Sequence, residues 1–417
     1  MALPAQKATP SWILRLTVVT VLVGIGSGVS GMLVSLTLHW IEHLAYGYSS
    51  GPFLDGLLTP SPTRRVVAVG IAGVIGTLGW WALRRWARPV VSVEASVAGR
   101  PMPPVVTLVN AALQIVIVGL GASIGREVAP REVGALIAGW LSERAGLTAR
   151  ERRILVACGA GAGLAAVYDV PLGGAVFAVE VLLAELTLAT ALPALATAAI
   201  AALIAQLVVP AEPIYALPPL TLSPSLLVWS IIVGPIVGLA AVGFVGSTQF
   251  AAGHRVRGNW ILLAMPLIFL AVGFLSVPFP AILGNGRSLG QVSFDGVTPL
   301  IIMAALLVVK AVATTGTIYS GAAGGTLTPS LALGAALGAV IGGAWSLAWP
   351  GSPVAAFAFV AAAAFLAASM RAPVTALILV LEFTGQGPAL LAPTMIAIAG
   401  SVAVGYFFRR RRLNGIA

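Results

Sequence analysis

A single cysteine, Cys158, and three histidines occur in 417 residues. One cysteine excludes an intrachain disulfide, and it reads as a small buried apolar residue. Together these side chains offer no metal-ligand spacing, so neither a metal nor a cofactor is expected. Charge is scarce as well. Asp, Glu, Lys and Arg make up 9% of the chain, where a soluble domain carries about 25%. With so little polar surface the chain cannot enclose its apolar residues in a water-soluble core. No Ser/His/Asp set and no phosphate-binding loop is visible, which argues against an enzyme. No secretory cleavage pattern precedes the first apolar stretch, so that stretch is expected to be a retained helix.

Apolar residues are what the chain has in quantity. They make up 59% of it, and mean hydropathy is +1.02. That composition predicts an all-α polytopic membrane protein. Glycine (48) and proline (28) are abundant, which in a membrane chain points to broken helices and close helix contacts. The net charge of +10 reads as topology and not as nucleic-acid binding. Its arginines cluster in short loops: Arg84, Arg85 and Arg88; Arg144, Arg150, Arg152 and Arg153; Arg255 and Arg257; and Arg409 to Arg412. The positive-inside rule puts these, and both termini, on the cytoplasmic side. The loop at 210–224 carries no Lys or Arg and is expected outside. Arg64 and Arg65 would open the second helix on the external side and do not fit the pattern.

About 20 apolar residues cross a bilayer. Apolar segments fall at 12–41, 66–84, 105–124, 129–142, 154–167, 171–186, 189–209, 225–250, 260–277, 299–318, 329–348, 354–369, 373–384 and 389–408. Several are too short to span alone. They are separated by glycine- and proline-rich breaks such as GREVAP, YDVPLGG, SGAAGGTLTP and MRAPV. Breaks at membrane depth are tolerated only where backbone is buried in protein or lines a wet cavity. The breaks also repeat. DVPLGGAVFAVE (169–180) and RAPVTALILVLE (371–382) share a proline, an apolar run and a terminal Glu, with Pro171 and Pro373 202 positions apart. GREVAP (125–130) and GTLTP (325–329) lie at nearly the same offset. An internal repeat implies a pseudo-twofold structure with a site at the repeat interface. The chain is therefore expected to be one transmembrane domain over 1–417, with halves at about 12–209 and 225–408 and a basic tail at 409–417.

A helix that begins inside the membrane directs unpaired N–H groups and its positive dipole end at the site. Such an end holds an anion without a fixed cation. The binding is then weak enough to permit exit, as conduction requires. The candidates are the amides of Arg126, Glu127 and Val128 after Gly125, and of Thr326, Leu327 and Thr328 after Gly325. Glu127 is itself an anion. Ionised, it can occupy the site; protonated, it can leave. An intramembrane ionisable residue is a functional candidate by default.

At these residues the sequence resembles the CLC family of chloride channels and chloride/proton antiporters. GREVAPREVG looks like the family's G-(R/K)-E-G-P helix start. GAGAGLAAVYDVPLGGAVFAVEV (159–181), YSGAAGGTLTPSLALGAALG (319–338), FLAASMRAPVTALILVLEFT (365–384) and, more weakly, ILGNGRSLGQ (282–291) are similar to later family segments in order and spacing. The resemblance implies a CLC-type inverted repeat with broken and re-entrant helices, and a homodimer with a pore in each subunit. It implies chloride as substrate, with protons as a possible second one. Glu127 matches the external gating glutamate. Gly325, Thr326, Leu327 and Pro329 match the second anion-coordinating break, with Leu327 where Phe is usual. Glu180 matches the first of two adjacent acidic residues and marks a possible proton pathway.

Departures from the pattern carry weight too. Val128-Ala129 stands where the family has Gly-Pro, and Pro130 comes one place late. Val181 falls at the antiporters' internal glutamate and cannot carry a proton. ARPVVSVE (87–94) replaces the central serine motif, with Arg88 at the serine and Ser92 out of register. No tyrosine follows the last helix, and Tyr406 lies earlier, on it. Selectivity would then rest mainly on backbone amides. Each hydrogen bond to a charge contributes about 1.5–3 kcal/mol, so a site lacking two hydroxyls binds its anion more weakly. The expectation is a channel-like or weakly proton-coupled chloride pathway, with a chloride/proton antiporter as the alternative. A secondary transporter of another small solute, built on the same repeat logic, is a more distant one.

Overall fold

The structure is a computed structural model that describes residues 10–48, 51 and 53–413. Its regular structure is helical. The first nine helices are α1 (Pro10–Tyr46), α2 (Phe53–Leu58), α3 (Pro62–Trp86), α4 (Val93–Val97), α5 (Pro104–Gly119), α6 (Val128–Arg144), α7 (Ala149–Tyr168), α8 (Pro171–Phe177) and α9 (Leu188–Ala205). The remainder are α10 (Pro224–Gly253), α11 (Ile261–Leu275), α12 (Arg287–Asp295), α13 (Leu300–Tyr319), α14 (Leu327–Ala348), α15 (Val354–Met370), α16 (Pro373–Thr384) and α17 (Leu391–Leu413). A π-helical turn, Ala178–Leu183, continues α8. Among the described residues, eight stretches are long and apolar enough to cross a membrane. The shorter apolar helices α5, α15 and α16 are interrupted by the predicted breaks. The expected basic tail begins as helix, because α17 runs to Leu413; residues 414–417 lie outside the described residues.

The chain divides into two compact units. One comprises Met1–Leu33, Val90–Thr107 and Pro130–Pro210; the other comprises Val34–Pro89, Leu108–Ala129 and Ala211–Ala417. The first unit is built on small residues. Its α7 is buried along almost its whole length, and packs on α4, α8 and α9. Gly159 of α7 and Gly134 of α6 leave no room for a Cβ, each facing the other's carbonyl. Small residues permit this backbone approach where apolar burial cannot drive helices together in lipid. Cys158 is buried here, as expected. In the second unit α14 packs on α15, α10 on α17, and α3 on α11.

The sequence repeat reappears in the backbone. Asp169 ends α7 with φ 53° and Arg371 ends α15 with φ 58°. Each is followed by one residue of similar backbone (Val170 φ −126°, ψ 68°; Ala372 φ −134°, ψ 81°) and then by proline at the start of the next helix. Proline is suited to that first position because its missing N–H has no intrahelical partner to lose. Asp169 serves α7 and not the helix that follows it. Its side chain does not cap α8, whose N-cap is Val170. It closes α7 in the left-handed conformation and accepts a hydrogen bond from Gln206 Nε2 at 2.7 Å.

Two further groups of cations find roles in the second unit. Arg64 Nε and Nη2 donate to the carbonyls of Ala45 (2.7 Å) and Leu44 (3.0 Å) at the end of α1. Arg65 Nη1 and Nη2 donate to Leu57 (2.7 Å) and Val277 (3.3 Å) carbonyls. Both arginines thus satisfy orphan carbonyls at or just beyond helix ends, which explains their departure from the topology pattern. Lys310 is fully buried. From α13 it donates to the carbonyls of Ile282 (2.8 Å) and Gly284 (2.7 Å) and pins the loop before α12.

Candidate functional site

Both glycine breaks of the sequence lie in the second unit. The first spans the non-helical residues between Gly119 and Val128, and the second those between Tyr319 and Leu327. They meet as an isolated antiparallel bridge between Gly125 and Gly325. Gly125 N–H donates to the Gly325 carbonyl at 2.8 Å, and Gly325 N–H donates to the Gly125 carbonyl at 2.9 Å. The bridge places the start of α6 and the start of α14 side by side.

Several contacts fix this crossing. Ser123 and Thr314 hydroxyls lie 3.2 Å apart, joining the first break to α13. Tyr46 Oη donates to the Leu120 carbonyl at 2.9 Å, and Gly284 N–H donates to the Gly121 carbonyl at 3.1 Å. Gly284 is the same residue whose carbonyl Lys310 holds. A continuous chain of polar contacts therefore runs from the end of α1 through the first break to α13.

Glu127 sits at the centre of the crossing and is fully buried. Its Oε1 accepts the N–H of Leu327, the first residue of α14, at 2.6 Å. Its Oε2 lies 3.3 Å from the Thr328 hydroxyl, which donates to it. The side chain folds back over its own glycine. A Cβ on Gly125 would come within 2.6 Å of Glu127 Cδ, and one on Gly325 within 2.9 Å of Cγ. Glycine at both positions is therefore a space requirement of the carboxylate. A negative group at a helix N-terminus gains from both the free amides and the dipole. The same geometry suits any small anion of carboxylate-oxygen size.

The structure brings Gly125, Glu127, Gly325, Leu327 and Thr328 together at this point. Val128 opens α6 and Thr326 is the N-cap of α14. Arg126 is buried beside Glu127 in the chain. Glu180 lies partly exposed on the π-helical turn Ala178–Leu183. One contributor was overlooked in the sequence: the Thr328 side chain, valued only for its amide, adds a hydroxyl to the site. Its position one residue into α14 is the signal that could have found it.

A family model described as "Voltage gated chloride channel" matches residues 72–406. The chain belongs to the voltage-gated chloride channel family. It is 30% identical over 374 residues to a protein described as "Voltage-gated ClC-type chloride channel ClcB" of Escherichia coli O17:K52:H18, covering 86% of this chain and 88% of that one. The ClcB of E. coli O157:H7 is similar at 30% over 376 residues, with the same coverage. Among solved structures, a slow cyanobacterial Cl−/H+ antiporter superposes with TM-score 0.83 at 22% identity, covering 94% of this chain and 95% of that one. A CLC-type fluoride/proton antiporter superposes with TM-score 0.74 at 21% identity, covering 96% of each chain. These likenesses establish the CLC-type fold and an integral, multi-pass membrane protein. Its family is one of anion transporters and channels. Among the described residues, no group of three or more His, Cys, Asp or Glu could hold a metal ion.

Proposed function

We propose that the protein conducts chloride across the membrane, with Glu127 as a protonatable plug and only weak coupling to protons. The observation that carries this reading is the Glu127 carboxylate lodged on the Leu327 amide, between the paired glycine breaks. It occupies the berth that a chloride ion would need. The ionised side chain and the anion compete for the same amides, and protonation of Glu127 releases them. Gly125, Arg126, Val128, Thr326, Leu327 and Thr328 then face the mobile anion, chiefly through backbone. The berth holds its occupant through an amide and a hydroxyl, a hold weak enough to let an anion leave as well as enter.

Val181 at the place of the antiporters' internal glutamate favours the channel-like form. A chloride/proton antiporter is the second reading. It is favoured by Glu180, one residue before Val181 and partly exposed on a π-helical turn, a feature that recurs at functional sites. In either form two copies assemble, each with its own pathway, with halves at about 12–209 and 225–408 and both termini in the cytoplasm of the source cell.

Purified protein in chloride-loaded vesicles is expected to release chloride when a potassium ionophore supplies the counter-current. Release no greater than from empty vesicles refutes the anion pathway. Uphill proton movement driven by a chloride gradient alone selects the antiporter instead.

A further inference from the structure

The C-terminal ends of α10, α15 and α17 frame a cavity that the anion pathway leaves unused. The three helices pack on one another within the second unit. Along most of their length α10 and α17 touch by backbone. A Cβ on Gly234 would lie 2.8 Å from the Ala397 carbonyl oxygen, and one on Gly238 would overlap the Ser401 carbonyl oxygen. About two turns further on, the helices have parted. A Cβ on Gly246 would meet no described atom within 4 Å, and one on Gly405 would meet Val242 Cγ2 at 3.9 Å. The gap they leave is a cavity of about 220 Å³.

The lining changes character along each helix. On α10, Val242 and Val245 precede Gln249; on α15, Ala368 precedes Arg371; on α17, Val402 precedes Tyr406. The apolar wall therefore lies toward the middle of the helices and the polar groups toward their ends. The apolar stretches of α10 and α17 end at Gly253 and Phe408. That puts the polar mouth at the level of lipid headgroups, where tyrosine is favoured. The side chains of Gln249, Arg371 and Tyr406 are exposed, and among the described residues none of them makes a hydrogen bond or an ion pair. Asp169, the counterpart of Arg371 in the sequence repeat, is by contrast held by Gln206. The surroundings are cationic. No Asp or Glu occurs in α10, α15 or α17, while Arg255 and Arg257 follow α10 and Arg410 stands exposed on α17.

A phosphodiester with an apolar tail is the ligand these groups suit. A guanidinium takes phosphate oxygens by charge-assisted hydrogen bonds. A carboxamide and a phenol hydroxyl can donate to the remaining oxygens, and the valines accept methylenes. The cavity is smaller than the roughly 300–1,000 Å³ of a site that encloses a whole small molecule. It takes a headgroup and the first carbons of a chain, with the rest of the tail left in the bilayer. We propose that the cavity between the ends of α10, α15 and α17 binds one anionic phospholipid from the leaflet on the side of the basic tail, with Arg371 on its phosphate. Arginines just outside a membrane span draw anionic lipid to that face. Arg371 and the slot then select one molecule of it. The site does not depend on the Glu127 pathway.

The test titrates the purified full-length protein, in a neutral detergent, with phosphatidylglycerol and counts the lipid retained per chain by native mass spectrometry. One retained phosphatidylglycerol is expected, held more tightly than phosphatidylcholine. Arg371→Gln should weaken it by about tenfold or more, the loss of one hydrogen bond between charged groups. Gly246→Leu keeps every charge and fills the open space, and should weaken it to a similar degree. Retention of phosphatidylcholine should be the same in all three proteins. One variant loses charge and the other gains bulk, so a shared and lipid-selective loss separates a lost site from a lost fold. Phosphatidylglycerol held equally by all three proteins, or no more tightly than phosphatidylcholine, overturns the site. Displacement of the lipid by inorganic phosphate at equal concentration overturns the lipid assignment in favour of free phosphate.

Discussion

Replacing Glu127 with Gln keeps the shape of the side chain and removes its charge. The carboxylate accepts the Leu327 N–H at 2.6 Å and the Thr328 hydroxyl at 3.3 Å. A hydrogen bond to a charged group contributes about 1.5–3 kcal/mol and a neutral one about 0.5–1.5. The amide therefore loses about 1 kcal/mol at the short contact, and less at the long one. Loss of charge at the N-terminus of α14 removes about 0.5–1 kcal/mol more. The total, about 2 kcal/mol, corresponds to about a 30-fold fall in the plug's hold on the berth. Chloride efflux from vesicles, shunted by a potassium ionophore, reads this directly. In the unaltered protein flux is expected to rise as pH falls, because protonation empties the berth. Glu127→Gln should conduct at neutral pH at or above the unaltered protein's acid rate, with a flat pH profile below neutral. Equal flux and an identical pH profile in the two proteins would refute the competition between carboxylate and anion.

Gly325→Ala puts a Cβ into the space of the Glu127 side chain. It is expected to lower the thermal unfolding temperature in detergent, and Glu127→Ala should relieve most of that loss, with a coupling of about 1–3 kcal/mol in a double-mutant cycle; additive losses refute the space requirement. Lys310→Met strands the Ile282 and Gly284 carbonyls. At about 1–3 kcal/mol for each buried orphan, the unfolding temperature should drop by several degrees, and an unchanged value shows that the clamp contributes nothing. Arg371→Gly should stabilise slightly, by about 1 kcal/mol, since it relieves a left-handed φ of 58°. Asp169→Gly should gain less at the same φ region, because it also loses the bond from Gln206; a larger gain at 169 than at 371 counts against this account.

Much of the site was legible as chemistry. A glycine break just before an acidic residue, in apolar surroundings, singled out Glu127 as a candidate. The offset between GREVAP and GTLTP pointed to a second break of the same kind. The helix starts followed as well: Pro171 and Pro373 open α8 and α16 as their fixed φ predicts. Less was legible where pattern is weak. The helix α12 is short and amphipathic, so an apolar-run reading passed over it. The role of Lys310 was not legible, because its partners are backbone carbonyls, which no side-chain pattern advertises. Arg64 and Arg65 broke the charge rule for the same reason.

The sequence by itself determined that the chain lives in a membrane, that its helices break at two glycine sites, and that one carboxylate stands at the first. Those follow from local physics: too little charge for water, and glycine or proline where a helix must stop. Only the tertiary structure decided that the two breaks pair through Gly125 and Gly325, and that Glu127 rests on the amide of Leu327, 200 positions away. The physical reason is that a free N–H at a helix start names no partner. Which acceptor fills it depends on what the packing of distant helices delivers to that point.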